Sequence, residues 1–338
     1  MAIRLAINGF GRTGRQAFRV AFEKPEIDIV AINDMADSAT VAHLLRFDTV
    51  YGSYRYPVAA DKNSIIVNQK RIAALQEKDP AKLPWRNLQV DVVVESTGVF
   101  TDPAKAQAHI VAGAKRVIIS APSKGEVPAE SFLIGINEDK LGEQVVLDNS
   151  SCTTNCVALT MAVLHEKFKV KKAAMTTLHA YTADQNLQDG PHRDLRRARA
   201  AGLNIIPTST GASANTAKVI PELVDRFSGI SFRVPVVCGS ICDITALVSR
   251  KTTVEEVNAA FIEASQQPQY RGILSINRDP IVSSDVIGRS ESAIIDLPLT
   301  QVTDGDLVKV YAWYDNEYGY SSRLVDQVVL IGKKLELI

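Results

Sequence analysis

The segment IRLAINGFGRTGR, residues 3–15, decides the fold class. Its first six residues are mostly apolar and indicate a buried strand. Gly9, Gly11 and Gly14 follow in the spacing G-x-G-x-x-G, and a helical pattern begins directly after them. A strand, a glycine-rich turn and a helix in this order are typical of a dinucleotide-binding unit.

Asp34 strengthens this interpretation, because it ends the next predicted strand and lies twenty positions after Gly14. A carboxylate there can accept hydrogen bonds from both ribose hydroxyls and would repel a 2′-phosphate, which favours NAD over NADP. The alternative is a strand, turn and helix that merely need tight turns. The three features together favour nucleotide binding over that alternative.

The first 150 residues alternate strand and helix patterns, which implies right-handed crossovers and a parallel sheet. The predicted strands are 3–8, 27–34, 91–96 and 115–122, and the predicted helices are 15–25, 39–47 and 102–114. We therefore predict an α/β protein with an N-terminal Rossmann-type doubly wound parallel sheet. This NAD-binding domain spans residues 1–151 and is completed by a C-terminal helix, residues 319–338.

The pattern changes after the first domain. A helix at 155–168 and a strand at 171–182 precede a polar, arginine-rich loop at 183–209. A loop of that length inside a compact domain is often functional. Longer strands follow, with helices at 213–226 and 254–265. Residues 152–318 are thus predicted to form an α+β catalytic domain with a mixed or antiparallel sheet.

The composition limits the functional classes. The 338 residues include 38 basic and 38 acidic side chains, so no global field draws the chain to nucleic acid or membrane. The start MAIRLAINGF lacks a signal-peptide pattern, and no apolar run reaches about 18–20 residues. We expect a cytoplasmic protein without a nucleic-acid or membrane partner. Four cysteines in such a long chain do not form a disulfide framework.

The stretch LDNSSCTTNC, residues 147–156, contains the candidate nucleophile. Ser150 or Ser151 is a good N-cap, so Cys152 falls in the first helical turn, where the helix dipole is expected to lower the thiol pKa. Cys156 lies one turn further and is expected to pack in the core. The C-x-x-x-C spacing here and at Cys238 and Cys242 fits zinc poorly, so no metal is predicted.

A nucleophilic cysteine needs a base, and His179 at the end of a predicted strand is the best candidate. Three other histidines lie in predicted helices and the fourth, His192, lies in the polar loop. A lone histidine is often structural, which remains the alternative for His179. A dinucleotide site with an activated thiol indicates aldehyde oxidation: the thiol adds to the aldehyde, hydride passes to the nicotinamide, and a second nucleophile resolves the thioester.

The chain resembles the glyceraldehyde-3-phosphate dehydrogenase family over nearly its whole length. The resemblance rests on AINGFGRTGR, SSCTTNC, TLHAYTADQ, PHRDLRRARA, IIPTSTGA and WYDNEYGYS, in the expected order. It implies a phosphorylating, NAD-dependent oxidation of glyceraldehyde 3-phosphate in glycolysis, a homotetramer, and Cys152 and His179 as catalytic residues. An erythrose-4-phosphate dehydrogenase and a non-catalytic NAD-binding redox sensor are the alternatives.

The resemblance also implies the binding residues. Those expected at the cofactor are Gly9, Gly11, Arg12, Thr13, Gly14, Asp34, Lys78, Thr97, Gly98, Ser120, Asn316 and Tyr320. The substrate phosphate is expected at Thr182 and Arg233, and the attacking phosphate at Ser151, Thr153, Arg197, Thr210 and Gly211. The alternative for Arg193, Arg196, Arg197 and Arg199 is a solvated face or ion pairs at subunit contacts, and only Arg197 is expected to be a ligand.

Two departures from the family pattern bear on the cofactor. Thr13 replaces the usual isoleucine, and Gly190 stands where NAD-using relatives commonly have leucine. Pro191 is retained, and Met35 offers no hydroxyl to a 2′-phosphate. We expect a preference for NAD with weaker use of NADP. Cys238 and Cys242 also depart from the pattern and are expected to share one face of a strand.

Overall fold

The structure is a computed structural model that describes residues 2–338. The chain divides into two compact units. One contains the residues up to Ser150 together with Ser321–Ile338, and the other is Ser151–Tyr320. Among the described residues, no helix combines the length and apolar character needed to cross a bilayer.

The first unit is built on a twisted sheet flanked by helices. Its strands are β1 Ile3–Asn8, β2 Ile27–Asn33, β3 Phe47–Asp48, β4 Gly52–Ser53, β5 Val58–Asp61, β6 Ser64–Val67, β7 Lys70–Leu75, β8 Val92–Glu95, β9 Arg116–Ile119 and β10 Val146–Asp148. The α-helices of this unit before Ser150 are α1 Arg12–Ala21, α2 Ser38–Arg46, α3 Pro103–Ala106 and α4 Ala108–Val111.

The strand order β10-β9-β8-β1-β2-β7-β6-β5 confirms the doubly wound class. The strands from β10 to β7 pair in parallel, and the chain winds outward from β1 in both directions. β6 and β5 extend the sheet as antiparallel strands, which the sequence analysis did not predict. β1 and β8 are buried almost throughout, as strands covered on both faces must be.

The second unit contains a mixed sheet, as predicted. Its elements are α5 Cys152–Phe168, β11 Val170–Ala180, β12 Ile206–Thr208, α6 Ala212–Val219, β13 Phe227–Val234, β14 Ser240–Val248, α7 Val254–Gln266, β15 Leu274–Asn277, β16 Ala293–Asp296, β17 Gln301–Thr303 and β18 Leu307–Tyr314. The order is β12-β13-β11-β14-β18-β16-β15, with β17 on β18. β14 alternates buried and half-buried residues, the pattern of a strand with one core face.

The last helix, α8 Tyr318–Lys334, begins in the second unit and lies mostly in the first. Within the first unit, the Gln327 side chain donates to the carbonyl of Phe132. Gly332 lies against Ile3, since a Cβ at Gly332 would come within 2.2 Å of the Ile3 Cδ1. These contacts pack α8 against the first sheet.

Two predicted helices differ from those observed. The segment predicted as helix 102–114 is interrupted at Gln107 and forms α3 and α4, with Asp102 as N-cap and Gly113 at φ +112° after the end. The helix predicted at 213–226 is only α6, which ends at Val219. Pro221 follows, and because proline lacks an N–H it does not continue an α-helix.

Candidate active site

A cavity of about 870 Å³ lies at the carboxyl ends of β1, β2 and β8 in the first unit. This is the edge where parallel α/β sheets bind ligands, at the point where the winding reverses. Five predicted cofactor residues line it: Gly9, Gly11, Asp34, Lys78 and Thr97. Sequence reasoning missed other lining residues, among them Asn8, Asn33 and Glu77.

The glycines of the turn are required for different reasons. Gly9 has φ +90°, and a Cβ there would lie 2.6 Å from the Thr97 backbone nitrogen. A Cβ at Gly14 would lie 2.0 Å from the Gly9 carbonyl oxygen. Gly11, by contrast, has no heavy atom within 4 Å of its hypothetical Cβ. Gly9 and Gly14 therefore permit close packing of the turn, whereas Gly11 keeps the cavity side open.

The start of α1 fits an anionic dinucleotide. Gly11 is the N-cap and supplies no side-chain acceptor to the first-turn N–H groups. Such groups, at the positive end of a helix, bind phosphate oxygens. Asp34 accepts from the backbone N–H of Phe10 at 2.7 Å and of Ala36 at 3.0 Å, which fixes its carboxylate at the cavity. The residues present therefore fit NAD, with the carboxylate suited to ribose hydroxyls.

The remaining predicted cofactor residues of the first unit do not line this cavity. Thr13 and Gly14 lie inside α1, and Gly98 (φ +73°) and Ser120 follow β8 and β9. Arg12 is engaged with a carboxylate, since its Nη1 donates to Asp48 Oδ2 at 2.6 Å. Burial opposes ionisation of Asp48, but the hydrogen bonds from Arg12 and from backbone N–H groups leave its pKa lowered.

Cys152 is the first residue of α5, as predicted. Ser151 is the N-cap, and its Oγ accepts from the backbone N–H of Thr154 at 3.1 Å. β11 brings His179 to the thiol, so that Nε2 lies 3.4 Å from Sγ. His179 is 5% exposed, whereas Cys152 keeps intermediate exposure. The structure thus joins the two predicted catalytic residues within hydrogen-bonding distance.

The hydrogen bonds assign the tautomer of His179. Its Nδ1 lies 2.7 Å from the carbonyl oxygen of Ala180, which can only accept, so Nδ1 carries the proton. Arg233 Nη1 lies near that nitrogen but has acceptors of its own in Ala180 O and Thr182 Oγ1. Nε2 is therefore the unprotonated nitrogen and faces the thiol as an acceptor.

The expected low thiol pKa is wrong. Burial raises the pKa of Cys152 to about 11, although the positive charge of Arg233 acts in the opposite direction. Burial, together with the positive charge of Arg233, lowers the pKa of His179 to about 3. The helix-dipole argument considered only the local chain, whereas the tertiary structure desolvates the sulfur. In the ligand-free chain both shifts favour the uncharged forms of the thiol and the imidazole.

Tyr314 supports the pair, and sequence reasoning did not identify it. Its Oη lies 2.9 Å from Thr153 Oγ1 and 2.9 Å from Thr177 Oγ1, linking α5 to β11. Its ring meets the His179 imidazole edge-on, with centroids 6.0 Å apart. The only sequence signal was its position in the WYDNEYG stretch.

The predicted phosphate residues fall into two groups. Arg233 Nη1 donates to Thr182 Oγ1 at 3.0 Å, so the proposed substrate-phosphate residues meet. Arg197 Nε donates to Thr208 Oγ1 at 2.9 Å. Within residues 2–338, no hydrogen bond joins Arg197 to Thr210 or Gly211, which lead into α6.

Asp184 is a further charged residue in this region that sequence reasoning missed. Its carboxylate accepts from Arg197 and from Thr182 Oγ1. Burial opposes ionisation of Asp184, while Thr182, Arg233 and Arg197 lower its pKa. One carboxylate therefore contacts a residue from each of the two predicted phosphate groups.

Asn316 and the two later cysteines lie in one region of the second unit. Asn316 Oδ1 accepts from the Gly239 N–H at 3.1 Å and from Ser240 Oγ at 2.9 Å, so Oδ1 is the acceptor and Nδ2 the donor of this amide. Cys238 Sγ lies 3.2 Å from Asp315 Oδ1. Cys238 precedes β14 and Cys242 lies within it, so the two do not share a strand face. Both side chains are buried, and neither forms a disulfide.

Comparison with known proteins agrees with this geometry. A family model described as glyceraldehyde 3-phosphate dehydrogenase, NAD binding domain, matches residues 3–103. A second, the C-terminal domain of the same enzyme, matches residues 151–316. The chain belongs to the glyceraldehyde-3-phosphate dehydrogenase family. The match to the NAD-binding domain includes the residues that line the cavity. The match to the C-terminal domain includes Cys152 and His179.

Individual members of the glyceraldehyde-3-phosphate dehydrogenase family match along the full length. The chain is 50% identical over 338 residues to "Glyceraldehyde-3-phosphate dehydrogenase 2" of Streptomyces avermitilis, covering 99% of this chain and 100% of the relative. It is also 50% identical, with the same coverage, to glyceraldehyde-3-phosphate dehydrogenases of Streptomyces coelicolor and Mycolicibacterium smegmatis. Both units therefore have counterparts in these relatives.

Proposed function

We propose that this chain catalyses the phosphorylating oxidation of D-glyceraldehyde 3-phosphate to 1,3-bisphosphoglycerate with NAD. The observation that carries the proposal is the 3.4 Å approach of Cys152 Sγ to the unprotonated Nε2 of His179. It occurs in a family member whose first unit fits NAD.

The first step is addition of the thiol to the aldehyde. As the bond between Sγ and the carbonyl carbon forms, the thiol proton passes to His179 Nε2, which is 3.4 Å away. The carbonyl oxygen takes the electron pair, and the oxyanion of a thiohemiacetal results. The raised pKa of the thiol favours proton transfer to Nε2 as the attack proceeds. General-base catalysis of this kind contributes about 10²–10⁴-fold.

Oxidation and phosphorolysis complete the cycle. Loss of hydride from the thiohemiacetal carbon re-forms the carbonyl and leaves a thioester on Cys152. NAD, when bound, supplies the hydride acceptor. A phosphate oxygen then attacks the thioester carbon, the carbon–sulfur bond breaks, and the departing sulfur recovers the proton from His179 Nε2. The proton of the attacking phosphate is released to solvent.

The phosphate sites are also proposals. Thr182 and Arg233 would hold the phosphate of the substrate, and their 3.0 Å hydrogen bond supports a shared role. Inorganic phosphate would be held by a second group. We assign to it Ser151, Thr153, Arg197, Thr210 and Gly211. Arginine with hydroxyl or backbone donors suits phosphate oxygens. Asp184 now accepts from Arg197 and Thr182, so a phosphate that takes those donors must replace the carboxylate.

We assign the NAD-binding role to residues 1–151 with helix 319–338, and catalysis to residues 152–318. The cavity-lining residues Asp34 and Thr97 support the first assignment. The full cofactor set is Gly9, Gly11, Arg12, Thr13, Gly14, Asp34, Lys78, Thr97, Gly98, Ser120, Asn316 and Tyr320. The fixed carboxylate of Asp34 supports a preference for NAD, with weaker use of NADP.

We further propose a homotetramer in the cytoplasm. The loop at 183–209 supports self-association, because Leu187, Leu195 and Leu203 are 85%, 81% and 86% exposed in the single chain. Exposed apolar side chains grouped in one segment are typical of a binding surface. Sedimentation analysis at several concentrations tests the tetramer, and a monomer at all of them would contradict it.

The function is tested by following NADH absorbance with glyceraldehyde 3-phosphate, NAD and phosphate, with and without iodoacetate. We expect phosphate-dependent turnover that alkylation of Cys152 abolishes. A rate that ignores phosphate would contradict the second phosphate site. A preference for erythrose 4-phosphate would contradict the substrate assignment, and absence of any NADH burst would favour a redox sensor.

A further inference from the structure

Behind the cofactor cavity lies a chain of buried polar side chains that the proposed mechanism does not use. We call it the Glu95 network; it comprises Asn8, Asn33, the Glu77 backbone, Trp85, Glu95, Thr97 and His109. Asn8, Asn33 and Glu95 are the last residues of β1, β2 and β8. Asn8, Asn33, Glu77 and Thr97 also line the cavity. The network is thus the inner wall of the cavity.

The hydrogen-bond directions at one end of the Glu95 network are fixed by a backbone donor. The Glu77 N–H donates to Asn33 Oδ1 at 2.9 Å, so Asn33 Nδ2 donates to Asn8 Oδ1 at 2.7 Å. Asn8 Nδ2 must then be the group that faces Glu95 Oε2, at 2.5 Å. No amide in this sequence can flip without placing two donors or two acceptors together.

The other end of the Glu95 network is fixed by an indole. Trp85 Nε1–H, which can only donate, lies 2.9 Å from His109 Nδ1. His109 Nδ1 is therefore the bare nitrogen and Nε2 carries the proton. That proton is directed to Glu95 Oε2 at 3.1 Å. His109 is accordingly a neutral donor.

Both ends converge on Glu95. Its Oε2 accepts from Asn8 and His109, and its Oε1 accepts from the Thr97 N–H at 2.8 Å and from the Thr97 hydroxyl. Three of these four groups, the Asn8 amide, the His109 Nε2–H and the Thr97 N–H, can only donate, so Glu95 acts as the acceptor of the network. Glu95 is 2% exposed, and within residues 2–338 no lysine or arginine forms an ion pair with it.

We propose that Glu95 is a positioning residue for the dinucleotide, holding Asn8 and Thr97 in the orientation that the cofactor cavity requires. A buried carboxylate without a cationic partner is costly, and hydrogen bonds are what stabilise it here. The arrangement persists because it fixes the ends of three neighbouring strands around one anion. The inference rests on the proposed NAD function.

The first test replaces Glu95 by glutamine, which has the same shape. In E95Q the amide NH₂ must face either Thr97 or the Asn8–His109 pair. Two donors then face each other on that side, and the side chains there lose their hydrogen bond to residue 95. We expect the Kd for NAD, measured by calorimetry on the ligand-free protein, to rise about tenfold. The kcat at saturating NAD should change less than about threefold, because Glu95 touches no reacting atom.

A second variant separates positioning from general stability. Trp85 is 0% exposed and does not line the cavity. W85F removes the donor that fixes the His109 tautomer, together with part of the ring volume in the apolar cluster. The matched control is V90A, since Val90 belongs to the same apolar cluster as Trp85 but not to the polar network. We expect W85F to raise the Kd for NAD about threefold, and V90A to lower Tm without changing that Kd.

The outcomes distinguish the inference from the function. NAD binding by E95Q with wild-type affinity would overturn the inference, as would equal weakening by W85F and V90A. If E95Q does not fold, the comparison of W85F with V90A decides alone. If the wild-type protein itself fails to bind NAD, the proposed function is contradicted instead.

Discussion

The Glu95 network in the first unit and the Cys152–His179 pair in the second differ in how completely their polar groups are hydrogen-bonded. In the network, every oxygen of a buried carboxylate accepts two hydrogen bonds, and the directions are fixed at both ends. In the pair, a neutral thiol faces a bare imidazole nitrogen across 3.4 Å. Polar groups whose hydrogen bonds are all made are rigid and suit binding. A thiol and an imidazole that share one hydrogen bond can instead transfer its proton during a reaction.

The strongest test of the Cys152–His179 pair is removal of the sulfur of Cys152. We expect C152S to lower kcat by about 10⁴-fold or more, because a serine hydroxyl is far less nucleophilic without a stronger base. NADH formation in the presence of phosphate measures it. The control C156S removes a buried thiol one helical turn away, and it should retain activity. Equal loss in both variants would assign the effect to packing.

The pH dependence of thiol alkylation tests the neutral resting pair. Because burial raises the pKa of Cys152 to about 11, the thiolate fraction below that pH is small. The iodoacetamide reaction of the ligand-free protein should therefore accelerate about tenfold per pH unit from pH 7 to 9. A plateau reached below pH 7 would instead indicate a thiolate–imidazolium pair and contradict the contrast drawn above.

The raised pKa of Cys152 also makes the free energy of unfolding depend on pH. The folded state holds the thiol proton more tightly than the unfolded state, whose thiol has its ordinary value of 9.0. The free energy of unfolding should therefore fall as the pH rises from 9.0 toward about 11, and be unaffected by this group at lower pH. In C152S this alkaline decrease should be smaller, which thermal unfolding at several pH values can measure.

The cofactor cavity of the first unit is tested by changing Asp34, the carboxylate proposed to bind the ribose. We expect D34N to lower the ratio of kcat/KM for NAD to that for NADP by about tenfold, since the repulsion of a 2′-phosphate is removed. D37N is the matched control: Asp37 caps α2 by accepting from the Thr40 N–H at 2.7 Å. It should lower Tm and leave the cofactor ratio unchanged. An unchanged ratio in D34N would remove Asp34 from the cofactor site.

The last test compares Gly11, the N-cap of α1, with Gly14 inside the helix. Alanine normally stabilises a helix over glycine by about 1 kcal/mol, but a Cβ at Gly14 would lie 2.0 Å from the Gly9 carbonyl oxygen. G14A should therefore destabilise the protein by about 1–3 kcal/mol. G11A places its methyl in open space at the cavity, so it should leave Tm unchanged and weaken NAD binding. Equal Tm values for the two variants would contradict this distinction.

The local patterns of the sequence predicted the features that depend on neighbouring residues. The glycine spacing located the turn before α1, and the two serines at 150 and 151 located the N-cap of α5 to within one residue. The Cys152–His179 pair was also predicted, because both residues lie at element ends. The family motifs then supplied the positions that spacing alone does not distinguish.

What the sequence did not reveal depends on tertiary packing. His109 was treated as an ordinary helix residue, since only the meeting of α4 with β8 and Trp85 gives it two partners. The direction of the Cys152 pKa was wrong because desolvation comes from residues distant in sequence. The antiparallel strands β5 and β6 were not predicted, although Ile65, Ile66 and Val67 form a β-branched run, because four-residue segments are too short for periodicity to identify.

The two tryptophans give each unit its own optical probe. Trp85 donates to His109 in the first unit, and Trp313 donates to Asp296 Oδ2 at 2.8 Å in the second. Because indole emission depends on its immediate hydrogen-bonding surroundings, W313F and W85F each leave a single fluorophore that reports on one unit. Denaturant titrations of the two variants would therefore reveal whether the two halves of the chain melt together or in sequence.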